Sequence, residues 1–162
     1  MTKLEGRPFE NGPTCDGVAY VADAPHDLAD ISVAGRYPEE GWAQNHVSHE
    51  LVRVVRGLGQ LVVRGGASID LEPGATVEVK PGTWFAWNGD IDLLMTCSPP
   101  FMPEQYEHRG ALESLIEDYF PDDATFVTEL DEEDQIGFLY GQLEDQGLDA
   151  DMIFKQYGIT EA

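Results

Sequence analysis

The sequence predicts an all-β domain, an antiparallel jelly-roll β-barrel, followed by a short α-helical C-terminal extension. Three observations carry that prediction. Short β-branched and aromatic stretches recur through residues 1–109, Gly and Pro turn signals separate them, and residues 110–162 switch to apolar residues at helical spacing. The boundary is also one of charge: residues 1–109 carry 16 acids and 8 bases, net −8, while residues 110–162 carry 15 acids and 1 base, net −14.

Eight strands are expected, over 18–22, 31–34, 44–55, 59–63, 67–71, 75–79, 84–87 and 93–97. Gly65-Gly66, Pro73-Gly74, Pro81-Gly82 and Asn88-Gly89-Asp90 read as the turns between the later ones. The connections are too short for crossover helices, so neighbouring strands must run antiparallel. The proline-rich run 98–106 leaves the last strand as a rigid segment, and its Phe101 and Tyr106 are placed to close one mouth of the barrel.

In the extension, residues 111–120 read as a helix stopped by Pro121. A second helix over 131–146 puts Ile136, Leu139, Tyr140 and Leu143 on one face; Asp131 caps it against Asp134 and Gly147 ends it. A third segment, 149–157, ends at Gly158. Residues 121–162 alone make a thin core, so they either dock on the barrel or a second subunit, or form a solvated acidic tail.

With 31 Asp and Glu against 9 Lys and Arg among 162 residues, the formal net charge is −22 and the pI is about 4.1. Too few cations are present for a basic stripe, which excludes nucleic acid as a partner and disfavours anionic membranes. No apolar run is long enough to cross a bilayer and residues 1–7 lack the apolar centre of a secretory signal, so a cytoplasmic location is expected. The two cysteines, Cys15 and Cys97, read as free thiols. There is no nucleophile elbow, P-loop, dinucleotide-binding glycine pattern or C-x-x-C.

Residues 41–89 hold spaced residues with a family resemblance. Three residues separate His46 from Glu50, and six separate Glu50 from Gly57. Further on, Gly74 precedes Lys80-Pro81-Gly82, with Phe85 three residues after Gly82 and Gly89 beyond it. This resembles the double motif of the cupin superfamily, G-x5-H-x-H-x3-4-E-x6-G and G-x5-P-x-G-x2-H-x3-N, over residues 15–105. Gln44 then stands at the first histidine position, Phe85 at the last and Gly89 at the asparagine. The resemblance implies the jelly-roll barrel, and it implies a homodimer, since small barrels of this likeness pair through their sheet edges. Cupins range from dioxygenases and sugar isomerases to storage and ligand-sensing proteins, so the likeness specifies fold more than activity.

Residues at i and i+2 of a strand share a face about 6.6 Å apart, so Gln44, His46 and Glu50 are expected to point inward together. One amide, one imidazole and one carboxylate fall short of the two histidines and a carboxylate that non-haem iron asks for. A bulge turning His49 inward would instead assemble His46, His49 and Glu50 as ligands of a divalent transition metal. An inward Glu50 needs a partner in either case, since an isolated buried charge costs several kcal/mol. His46 is the first candidate.

Phe85 and Trp87 share a face and bring bulky rings to the interior, with Met95 or Cys97 as further lining. They either fill the core or wall a ligand pocket. The expected function is therefore a cupin-type small-molecule-binding protein whose site comprises Gln44, His46, Glu50, Phe85 and Trp87, with a degenerate or absent metal site. The alternatives are a metal-dependent oxygenase or isomerase acting on a small organic acid or sugar, and a non-catalytic scaffold whose acidic helices contact a basic partner protein.

Overall fold

Nine strands form in the computed structural model, which describes residues 1–160, and buried and exposed side chains alternate most regularly over residues 49–54. They are β1 (Gly6–Glu10), β2 (Cys15–Tyr20), β3 (Leu28–Tyr37), β4 (Trp42–Asn45), β5 (His49–Val63), β6 (Ile69–Leu71), β7 (Thr76–Val79), β8 (Phe85–Ser98) and β9 (Tyr106–Arg109). One path of the sheet runs β1-β2-β3-β8-β4-β9, and β5 pairs with β6, β7 and β8. The pairings of β8 with β3, β4 and β5 are antiparallel, so this long strand organises the curled sheet. No helix among the described residues is long and apolar enough to cross a membrane.

One expected turn and one expected strand boundary are absent, for physical reasons. Asn88-Gly89-Asp90 lies inside β8, where Gly89 pairs with Gly35 on one side and Gly59 on the other. Three glycines abreast let the backbones close up: a Cβ on Gly89, whose φ is +140°, would lie 2.5 Å from the Leu58 carbonyl oxygen. The strands expected over 44–55 and 59–63 likewise form different units. The first breaks after Asn45, and β5 then runs unbroken to Val63 with a register shift between Val54 and Arg56. Gly57, just past that shift, has φ +90°, and a Cβ there would overlap the Asp90 carbonyl oxygen.

The chain divides into two compact units: Met1–Glu39 with Ala43–His108, and Glu40–Trp42 with the chain from Arg109 onward. The first has its core between the strands, with Val33, Val52, Val54, Phe85, Ile91 and Leu93 nearly excluded from solvent. The second holds α1 (Ala111–Tyr119), α2 (Ala124–Thr128), α3 (Glu132–Asp145) and α4 (Ala150–Tyr157). The Asp131 side chain accepts from Asp134 N at 2.9 Å to cap α3, and Gly158 ends α4 in the left-handed conformation. Leu115, Val127, Leu139 and Leu143 are among its fully buried side chains.

Candidate functional site

Glu50 is the centre of the site because of strand parity. At the start of β5, Glu50, Val52 and Val54 are buried while Leu51 and Arg53 are exposed, so the carboxylate shares the interior face with aliphatic core. It pairs across the sheet with Cys97 of β8 and Val79 of β7. Only 2% of the residue is exposed, and its Oε2 has no hydrogen-bond partner. Burial pushes its pKa up from 4.5 to about 7, with the charge of Asp27 adding to the effect.

Around it stand groups that keep their protons. Tyr37, at the end of β3 and paired with Trp87, is hydrogen bonded to the Tyr106 phenol of β9. Burial raises Tyr37 to about 12 and lifts Tyr106 well above the ordinary phenol range, and Glu50 contributes to both shifts. Burial likewise raises the thiols of Cys15, to about 11, and of Cys97. Phe85 and Trp87 meet edge to face at 5.8 Å, and Tyr106 meets His108 at 5.3 Å in the same manner. At neutral pH these neighbours are uncharged, leaving Glu50 as the titrating group of the interior.

Of the five expected pocket residues, Glu50, Phe85 and Trp87 are buried in the strand unit, and the other two lie elsewhere. His46 is exposed, in the turn between β4 and β5. That turn exists because Asn45 Oδ1 accepts from the backbone N–H groups of Val47 and Ser48, at 3.0 and 2.9 Å, which ends β4 and uncouples His46 from the parity of Glu50. Gln44 donates to Glu107 Oε2 at 3.2 Å on an exposed part of the sheet. His49 stays in strand register and is exposed, with Nδ1 3.3 Å from Glu78 Oε1. His46, His49 and Glu50 therefore do not converge, and among the described residues no group of three His, Cys, Asp or Glu side chains is placed to hold a metal. The donor set does not fit a divalent transition ion.

Sequence reasoning missed Tyr37 and His108 as site residues and gave Tyr106 only a closing role. Tyr37 and His108 also line an open cleft of about 330 Å³, together with Asn11, Gly12, Pro38 and Glu39. No pattern local to any of these residues marks them, since they meet only through pairing of distant strands. Asp27, in the loop before β3, ties the end of β8 to the segment that follows it. Its carboxylate accepts from the backbone N–H groups of Cys97 and Phe101, each at 2.8 Å. An Asp27→Ala variant, which frees both, is expected to lose about 2 kcal/mol in urea unfolding.

No protein-family model matches the chain, and no curated protein matches its sequence. Solved structures do match its fold. Pac13 of Streptomyces, described as a nucleoside dehydratase, superposes with a TM-score of 0.60 at 18% identity, covering 68% of this chain and 92% of Pac13. A cupin-2 domain from Rhodospirillum rubrum gives a TM-score of 0.53 at 12% identity, over 77% of this chain and 88% of that one. This chain has the cupin fold. Ectoine synthase from P. lautus, with a TM-score of 0.53 at 16% identity over 62% of this chain and 79% of its own, extends the same likeness. These identities speak for the cupin barrel alone, and the activity has to be argued from the interior of this one.

Proposed function

We propose that the protein binds a small organic molecule inside the cupin barrel, with Glu50 as its polar anchor and Phe85 and Trp87 as its apolar wall. The observation that carries this reading is the buried Glu50 Oε2 without a hydrogen-bond partner. An unanswered buried acceptor costs about 1–3 kcal/mol, and a hydroxyl or amide donor on a guest removes that cost. The surrounding phenols and thiols are uncharged, which favours a neutral, hydroxylated guest over an anion. Structures of fold neighbour Pac13 with uridine make that nucleoside a sensible first probe.

The same site supports a second reading, in which the guest is also turned over. A carboxyl held near pH 7 is matched to giving and taking a proton at neutral pH. Saturation-transfer NMR with uridine and a panel of neutral hydroxylated compounds tests the binding reading. Transfer to at least one compound is expected, and a folded Glu50→Ala variant should abolish it. Binding that persists undiminished in that variant would put the guest outside the barrel interior.

A further inference from the structure

The cleft beside the interior has its own chemistry. Asn11, Gly12, Tyr37, Pro38, Glu39 and His108 enclose about 330 Å³, enough for a small ligand. Tyr37 and His108 stand edge to face, with centroids 6.2 Å apart and planes at 84°, so they form a right-angled aromatic corner. Glu39 is exposed and supplies a carboxylate to the same space. None of the six lining residues is Lys or Arg; the nearby Arg36 guanidinium donates to the Pro38 carbonyl at 2.6 Å. Burial lowers the His108 pKa, which keeps that imidazole neutral near pH 7. The chain as a whole carries −22, a field that gathers cations and repels anions.

We propose that this cleft binds a small organic cation, an alkylammonium group seated between the Glu39 carboxylate and the aromatic corner of Tyr37 and His108. Both attractions act on positive charge: the carboxylate directly, and the ring through its negative face. A neutral molecule of the same shape receives neither. Glu50 is not part of this site, so the proposal stands or falls apart from the reading of the barrel interior.

Calorimetric titration of the full chain at low ionic strength, with choline and with dimethylbutanol as its uncharged carbon isostere, tests the proposal. Choline is expected to bind at least about tenfold more tightly than the alcohol. Glu39→Gln should weaken choline about fivefold to tenfold, while Glu72→Gln, an equal charge change at an exposed acid outside the cleft, should leave it unchanged. Choline should also shift the NMR signals of the His108 ring. Equal affinity for choline and the alcohol, equal weakening by the two Gln variants, an unmoved His108 or no choline binding at all would each overturn it. Uridine binding that depends on Glu50 would survive such a result, because Glu50 does not line the cleft.

Discussion

Raising the pH from about 5 to about 8 should cost the wild-type protein about 2.5 kcal/mol of folding stability that a Glu50→Gln variant does not lose. The magnitude follows from a carboxyl whose pKa rises from 4.5 to about 7 on folding. Between those values the folded chain holds a proton at Glu50 that the unfolded chain has released. Raising the pH through this window therefore favours unfolding, and above the folded pKa the penalty is complete and constant. Below the unfolded pKa both states are protonated and the penalty vanishes. The amide of the Glu50→Gln variant carries no such proton in either state, so the variant lacks this slope, whatever the other 30 acids contribute to both proteins alike. Urea unfolding of the two proteins across that range, read as a difference, isolates the effect. Parallel stability curves would mean that Glu50 titrates normally and that its burial is not maintained in solution. Because burial is the larger cause and Asp27 the smaller, Asp27→Asn should reduce the slope without removing it.

The same carboxylate shows what the sequence makes legible. An acid at even spacing in a β-branched run is inward by parity, and Glu50 is inward. His46 fails the same test because parity holds only within an unbroken strand, and Asn45 breaks this one by folding its side chain onto the next backbone N–H groups. Asparagine favours such turns, so the signal was present, but the cupin-like spacing of His46 and Glu50 pointed the other way. The Asn-Gly-Asp triplet at 88–90 shows the converse error. Its turn propensity is overridden by the glycines of β3 and β5 that face Gly89, an arrangement visible only once the strands are paired. Tyr37 and Tyr106 meet across a separation of 69 residues, and no local periodicity reports such a contact. The helices were more legible, because the caps at Asp131 and Gly158 act within a few residues of themselves.

One part of the helical unit was not legible at all, and it predicts the largest mutational effect. Residues 40–42 lie far from the helices in sequence, yet they belong to their compact unit. Gly41 N–H donates to the Tyr157 carbonyl at 2.8 Å, and the Trp42 indole meets the Tyr157 ring edge to face at 5.2 Å. Tyr157 is itself tied to α1, its hydroxyl donating to Asp118 Oδ2 at 2.5 Å. Trp42 thus packs on the last helix inside the helical unit, with none of its surface exposed. Truncating so large a buried side chain to Ala costs about 3–5 kcal/mol, because the lost burial is compounded by a cavity that close-packed neighbours fill only in part. Trp42→Ala should therefore lower the unfolding midpoint sharply and open residues 109–160 to limited proteolysis before the strands. Trp42→Phe, which keeps an aromatic ring against Tyr157, should lose much less. If the Ala variant resisted protease and urea as the wild type does, the packing inside the helical unit would not depend on this contact.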